Sequence, residues 1–116
     1  MKDIEIIAEI GKNFVTTEKK ESLEILHNRA KDLIWEAKKV GIKIVKFQVH
    51  NVNDEIHPNT KLISPHFNQN RYEWVKRNTY PIEFWWEIKE QCRKLGVEFL
   101  ATPMSRGAAE LLNEEI

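Results

Sequence analysis

Residues 37–48 read AKKVGIKIVKFQ, and residues 92–103 read CRKLGVEFLATP. Each stretch has a basic helix end, then a glycine, then a short apolar run whose C-terminal end is polar. The pattern predicts a helix that ends at the glycine and a strand that follows it directly. Two such stretches in one chain indicate repeated helix–strand units, which build a (β/α)8 barrel and also a doubly wound sheet.

The rest of the chain extends this pattern to the order β-α-β-loop-α-β-α. We expect strands at residues 4–9, 42–48 and 97–101. Apolar residues three and four apart predict a helix from Leu23, with Ser22 as N-cap and Gly41 just beyond its end. No Asn-Gly or Asp-Gly pair signals a hairpin, so the alternation predicts a parallel sheet with crossover helices.

The long polar stretch between the second and third strands is expected to be functional or mobile. A short helix is predicted within it at residues 71–77. The next helix is expected to have Pro81 at its first position and to end at Gly96. Ser105 is expected to cap a final helix that contains Leu111 and Leu112.

Composition excludes several classes of protein. The 116 residues carry 18 Lys plus Arg against 18 Asp plus Glu, which gives no electrostatic footprint for nucleic acid or an acidic membrane. The single cysteine, Cys92, excludes an internal disulfide framework and a cysteine-built zinc site. No apolar run approaches the ~20 residues that span a bilayer, and acids interrupt the N-terminal stretch where a signal peptide is apolar. We therefore expect a soluble, cytoplasmic domain.

Side chains alternate between the two faces of a strand, and one face of each predicted strand is apolar. The other face carries Glu9, then Lys46 and Gln48, then Thr102 near the C-terminal strand ends. Parallel α/β proteins place their sites at those ends. A lysine, an amide and a hydroxyl together suit an anion, and a carboxylate can orient sugar hydroxyls or transfer a proton. The alternative is an internal ion pair between Lys46 and Glu9.

Other chemistry-bearing residues fit no known motif. The sequence has no phosphate-binding loop, dinucleotide fingerprint, HExxH zinc motif or nucleophile elbow. We expect His27 to be exposed on its helix and His50, His57 and His66 to be solvated rather than metal ligands. The tryptophans are expected in core and helix–helix packing; they are Trp35, Trp74, Trp85 and Trp86.

Three segments resemble the sialic acid synthase (N-acetylneuraminate synthase) family. They are IAEIGKN at residues 7–13, VKFQVH at 45–50 followed by NDEI at 53–56, and GVEFLATPMSRGAAELL at 96–112. The resemblance implies an α/β fold, the first three βα units or so of a (β/α)8 TIM barrel. It implies condensation of phosphoenolpyruvate with an N-acetylated hexose to give a nine-carbon ulosonic acid and phosphate.

The resemblance also assigns roles to residues. Glu9 matches the glutamate of the AEIG motif, which contacts the sugar, and Lys46 and Gln48 match a pair that binds phosphoenolpyruvate. Thr102 matches a further phosphoenolpyruvate contact, and Asn68 is aligned with a sugar-binding asparagine. Glu9 and Lys46 are thus the candidate catalytic residues.

The resemblance further implies a divalent metal, Mn²⁺ or Mg²⁺, whose two histidine ligands come from later strands. This chain would then hold no metal ligand, would lack the later strands and a C-terminal antifreeze-like domain, and would be inactive alone. Three open strands also favour a homo-oligomer.

Departures from the family leave other readings open. Phe14 stands where many relatives have histidine, Met104 stands where they have phenylalanine, and residues 16–22 read TTEKKES. These differences bear on sugar specificity more than on donor binding. The alternatives are a non-catalytic remnant that binds a ligand or partner chain, and a different phosphoenolpyruvate-using barrel enzyme.

Overall fold

The computed structural model describes residues 3–65 and 68–115 as alternating strands and helices. The strands are β1 (Ile7–Gly11), β2 (Ile44–Val49) and β3 (Glu98–Pro103). The helices are α1 (Leu23–Lys39), α2 (Val52–Glu55), α3 (Arg71–Arg77), α4 (Ile82–Leu95) and α5 (Arg106–Glu115). The predicted order is confirmed, with α2 as an additional one-turn helix directly after β2.

The three strands form one parallel sheet in the order β1-β2-β3. Helix α1 connects β1 to β2, and α2, α3 and α4 lie between β2 and β3 in the chain. Because α1 and α4 contact each other and share one hydrophobic cluster with the sheet, they cover the same sheet face. The prediction of a parallel α/β sheet with crossover helices is therefore confirmed.

Local signals set most helix ends as expected. The Ser22 hydroxyl accepts a hydrogen bond from the Ile25 backbone N–H at 3.2 Å and so caps α1. Gly96 ends α4 with φ of 69°, a left-handed conformation that costs a glycine little. Pro81 is the N-cap of α4 rather than its first helical residue, because its ψ of 157° is still extended.

The covered sheet face forms the core. Val45, Phe47 and Val49 on β2 are fully buried, whereas Lys46 and Gln48 between them are partly exposed. Phe14 packs on Phe47 with ring centroids 6.1 Å apart. Tyr80, Phe84 and Trp85 complete this aromatic cluster. The alternation predicted for β2 is confirmed, and Phe14, which departs from the family pattern, is a core residue.

Strand β1 differs from its prediction. It begins at Ile7 rather than residue 4, because the pairing with β2 starts at Ile7 opposite Ile44. Ile4 and Ile6, which lie within the predicted strand, are 86% and 65% exposed. The apolar residues before Ile7 predicted a longer strand, but β2 begins at Ile44 and therefore offers them no pairing partner.

Two expectations about aromatic and histidine side chains were wrong in part. Trp74 and Trp85 are buried as expected, whereas Trp35 and Trp86 are about half exposed on α1 and α4. His27 is not exposed: its ring lies edge-on to Phe84, 5.6 Å between centroids, and its Nε2 lies 3.2 Å from Glu87. The contact between α1 and α4 partly buries that side chain, which the pattern of α1 alone does not reveal.

Residues 16–22, the charged segment after β1, are tied to the helices. Arg77 donates hydrogen bonds to the backbone oxygens of Thr17 and Lys19, at 2.6 and 3.0 Å. The Arg29 guanidinium donates two hydrogen bonds to the Glu21 carboxylate, at 2.7 and 2.6 Å.

In the part of the chain that the structure describes, no helix is both long and apolar enough to cross a membrane.

Candidate functional site

The C-terminal ends of the strands bring four of the sequence-predicted site residues onto one face of the sheet. Glu9 on β1 is paired in register with Lys46 on β2, and Gln48 is paired with Thr102 on β3. This is the face opposite the buried core, so all four side chains point away from the helices. The structure therefore brings Glu9, Lys46, Gln48 and Thr102 together, as strand alternation predicts.

The polar groups at this edge are held without an internal ion pair. Gln48 Nε2 donates to Glu9 Oε1 at 3.4 Å, which links β2 to β1. Lys46 and Glu9 both belong to the described residues, and no contact of 4.0 Å or less joins their charged atoms. The ion-pair alternative is thus not realised, and the Lys46 ammonium is directed to the open face.

A cleft of about 310 Å³ opens where β1 ends. Glu9 and Gln48 line it together with Gly11, Lys12, Asn13 and Trp74. Gly11 has φ of 56°, and a Cβ on it would lie 3.4 Å from Glu9 Oε1 and 3.5 Å from Gln48 Nε2. The positive φ therefore favours a glycine at this turn, whereas a Cβ would make only ordinary van der Waals contact with the two side chains.

Lys12, which was not among the predicted site residues, lines this cleft and lies near the positive charges of Arg71 and Arg77. Its Nζ lies 4.8 Å from the centroid of the Trp74 ring, a cation–π contact. Burial, followed by the positive charge of Arg71, lowers the pKa of Lys12 to about 8, although Glu55 opposes the shift. Because Lys12 directly follows Gly11 at a strand end, its place near the site could have been predicted from the sequence. Its contact with Trp74 could not.

His50, which directly follows β2, is buried rather than solvated. It is 2% exposed, and its Nδ1 lies 2.7 and 2.9 Å from the two carboxylate oxygens of Glu55. Burial, and then the charges of Lys12 and Arg71, lower the pKa of His50 to about 3. The imidazole is therefore neutral at pH 7, with Nδ1–H donating to Glu55. The expectation that His50 is solvated was wrong, because the imidazole is buried and contacts Glu55 of α2.

The other predicted residues lie apart from this edge. Asn68 is exposed in the loop before α3, with φ of 51°, and it does not line the cleft. The adjacent Gln69 donates to the backbone oxygen of Glu18 at 3.3 Å, which holds that loop against residues 16–22. His57 is exposed as expected, and His66 lies outside the described residues.

The residues present do not fit a divalent metal. Across residues 3–65 and 68–115, no three His, Cys, Asp or Glu side chains come together as a ligand group. The one buried histidine near the strand ends, His50, is surrounded by the cations Lys12 and Arg71, which oppose a metal charge. No chemical step of this chain is therefore derived through a metal.

The loops after β2 and β3 are joined by Asp54. Its Oδ1 accepts from the Ser105 hydroxyl at 2.7 Å, and its Oδ2 accepts from the Gly107 backbone N–H at 2.6 Å. These bonds lower the pKa of Asp54. Because Gln48 and Thr102 sit just before these two loops, the bridge fixes the strand ends that present them.

Comparisons with known proteins cover most of this chain and a small part of each relative. The chain is 31% identical over 84 residues to an uncharacterized protein of Methanocaldococcus jannaschii, an alignment that spans 72% of this chain and 22% of that protein. It is also similar to the crystal structure of the N-acetylneuraminic acid (sialic acid) synthetase of Leptospira borgpetersenii in complex with citrate. That match has a TM-score of 0.66 and 25% identity and covers 93% of this chain and 32% of the synthetase.

The structural match confirms the predicted fold class, because the parallel sheet and its helices correspond to part of the synthetase's TIM barrel. The chain spans less than a third of the length of either relative. The model of the NeuB family matches residues 33–116, a segment that contains Lys46, Gln48 and Thr102 but not Glu9. The resemblance seen in the sequence is thereby confirmed, and this chain belongs to the NeuB family.

Proposed function

We propose that this chain supplies the phosphoenolpyruvate-binding side of a sialic acid synthase-type active site. The proposed reaction condenses phosphoenolpyruvate with an N-acetylated hexose such as N-acetylmannosamine, and it yields a nine-carbon ulosonic acid and phosphate for surface carbohydrates. The observation that carries the proposal is the placement of Lys46, Gln48 and Thr102 on one open face at the strand ends. Membership of the NeuB family supports it.

The geometry suits an anionic donor. Lys46 supplies a positive charge for the phosphate or carboxylate of phosphoenolpyruvate, and Gln48 and Thr102 supply neutral hydrogen-bond donors one strand apart. Side chains that are held in place by strands need little rearrangement as charge develops during the reaction. They can therefore stabilise the transition state at little cost. Glu9 lies across from Lys46 and is held by Gln48, where a carboxylate can accept from a sugar hydroxyl.

The remaining parts of the site are proposed to lie outside this chain. We propose that residues 1–116 form part of one barrel domain, and that later strands and an antifreeze-like domain belong to the full-length protein. A Mn²⁺ or Mg²⁺ ion held by those later strands would act as a Lewis acid on the sugar aldehyde. We further propose a cytoplasmic homo-oligomer whose ligands are small molecules, with neither nucleic acid nor a membrane as partner.

The test is synthesis by the full-length protein. Purified protein with phosphoenolpyruvate, N-acetylmannosamine and Mn²⁺ should release phosphate and form a product that mass spectrometry identifies as a ulosonic acid. Lys46→Met should raise the KM for phosphoenolpyruvate at least tenfold, about 1.4 kcal/mol of lost binding. Lys43→Met, at the opposite end of the sheet and exposed, should leave that KM unchanged.

Two results would count against this function. If the full-length protein releases phosphate without a sugar acceptor, the condensation is wrong; if Lys46→Met behaves as the wild type does, the lysine is not a donor contact. Residues 1–116 alone should be inactive in the same assay. Sugar-dependent phosphate release by that segment would contradict the proposed division of the site.

A further inference from the structure

Helix α3 carries positive charge at both of its ends, and its Trp74 lines the cleft. Arg71, Trp74 and Arg77 are three residues apart and therefore lie along one side of the helix. Trp74 is 2% exposed, and the Arg77 guanidinium carbon lies 4.9 Å from its ring centroid. The Lys12 ammonium approaches the same ring at 4.8 Å. Two cations, Lys12 and Arg77, thus contact one buried aromatic side chain, and Arg71 begins the helix that carries it.

The acids in the neighbourhood do not balance these cations. Glu55 is the acid that acts on Lys12, and both of its oxygens are already held by His50 Nδ1. His50 itself is neutral at pH 7, so it adds no charge. Among the residues that the structure describes, no carboxylate oxygen lies within 4.0 Å of Lys12 Nζ.

Arg77 is committed elsewhere, to the backbone oxygens of Thr17 and Lys19. Lys12 lines the cleft, and the positive charges of Arg71 and, more weakly, of Arg77 act on Lys12. A partly buried cation without a close acid is costly, since charges removed from water are normally paired. A bound anion would offset that cost, and the cleft between Lys12 and Glu9 is open to receive one.

We propose that Lys12, which contacts the Trp74 ring, forms with Arg71 an anion subsite that binds a phosphate or carboxylate group of the substrate in the cleft, on the side away from Glu9. This inference rests on the proposed function and extends it to a residue pair outside the strand-end set. The group belongs either to phosphoenolpyruvate or to an acidic substituent of the acceptor sugar. Lys12 stands one residue beyond Gly11 at the end of β1, where it lines the cleft that would receive this group.

The experiment measures KM in the full-length protein for phosphoenolpyruvate, for a neutral acceptor and for the same acceptor bearing a phosphate. Lys12→Met keeps the length and apolar stem of the side chain but removes its charge, and we expect a tenfold or greater rise in one anionic KM. Lys12→Arg should stay within about threefold of wild type, since tenfold corresponds to 1.4 kcal/mol. Arg71→Gln should raise the same KM as Lys12→Met, and Lys43→Met should change none.

The substrate whose KM rises identifies the source of the anion. A rise for phosphoenolpyruvate with the neutral acceptor places the donor in the subsite, and a rise confined to the phosphorylated acceptor places the acceptor there. If neither KM rises more than threefold in Lys12→Met, the subsite does not exist. If Lys12→Met raises the KM for the neutral acceptor as much as the KM for an anionic substrate, the subsite is also refuted, because such a uniform rise indicates a structural role for Lys12.

The outcome is separable from that of the proposed function. If the full-length protein makes no ulosonic acid, the synthase proposal fails, and calorimetry with phosphoenolpyruvate and with inorganic phosphate decides the subsite alone. Binding by wild type that Lys12→Met loses and Lys12→Arg keeps supports an anion subsite for another reaction. Equal titrations of wild type and Lys12→Met, or no binding by either, refute it.

Discussion

At the scale of single residues, the buried imidazole of His50 makes stability depend on pH. Its pKa is lowered from 6.5 to about 3, first by burial and then by the charges of Lys12 and Arg71. Between these values the unfolded chain binds a proton that the folded chain does not. Stability linked to His50 is therefore fully present above pH 6.5 and is lost as the pH falls toward 3. Burial raises the pKa of Glu55, which offsets part of this loss.

We predict that His50→Gln flattens this pH dependence. Glutamine keeps an N–H donor for Glu55 but binds no proton, so the loss of stability between pH 7.5 and pH 5 should shrink by about 1–2 kcal/mol. Urea denaturation at the two pH values measures it, with His57→Gln as the exposed control. An unchanged loss in His50→Gln, or an NMR titration of His50 near pH 6.5, would contradict the neutral buried imidazole.

The residues of the site differ in how far sequence could locate them. Glu9, Lys46, Gln48 and Thr102 follow from strand alternation, because a period of two fixes their face whatever packs nearby. The environment of Lys12 depends on Trp74, which is 62 positions later and reaches the cleft only when α3 docks. No local pattern carries that information, so burial and charge at Lys12 and His50 emerge only from the fold.

At the scale of elements, the start of α5 is held by a side chain from another loop. Ser105 Oγ accepts from the Ala108 N–H at 3.2 Å as an N-cap and donates to Asp54 Oδ1. Gly107 leaves room for this bridge, since a Cβ there would lie 2.9 Å from both Asn51 Nδ2 and Asp54 Oδ1. The β2 and β3 ends are thus joined by a cap that belongs to both loops.

We predict that Ser105→Ala and Asp54→Asn act on one interaction. Ser105→Ala removes a cap worth about 1 kcal/mol and lowers Tm. Asp54→Asn replaces one acceptor oxygen by an amino group and lowers Tm as well. Because the two residues are bonded, their effects should be less than additive in the double variant.

The matched control is Ser22→Ala, which removes the equivalent cap of α1 without touching Asp54. Thermal unfolding of the single and double variants gives the comparison. Ser22→Ala and Asp54→Asn should add independently. If the change in Tm caused by Ser105→Ala adds to that of Asp54→Asn as fully as the change caused by Ser22→Ala does, the Asp54 bridge does not support α5.

Helices were predicted better than strands for a physical reason. Ser22, Gly96 and the bounds 71–77 of α3 depend on caps and spacing within a few residues, which sequence displays. The start of β1 depends on where β2 begins, 37 positions later, so its three-residue error reflects pairing that composition does not encode. The one-turn helix α2 was missed because four residues have no periodicity to detect.

At the scale of the whole molecule, the described sheet has a covered face and an open one. β1 and β3 are its edges, and within residues 3–65 and 68–115 each pairs with β2 alone. Beside the β1 edge lie the exposed side chains of Ile4, Ile6 and Ile7. An apolar edge of this kind is a template for pairing with another chain. The formal net charge of zero adds no repulsion between copies.

We therefore predict that residues 1–116, prepared alone, self-associate through the β1 edge. Sedimentation velocity over a tenfold range of concentration should show the mean mass rising, and Ile6→Lys should shift the distribution to monomer because a lysine there disfavours strand addition. Leu62→Lys is the matched control: Leu62 is 66% exposed against 65% for Ile6, but it lies in a loop. It should leave the association unchanged. If both variants dissociate the assembly equally, added charge rather than the open edge is responsible, and if neither does, association runs through another surface.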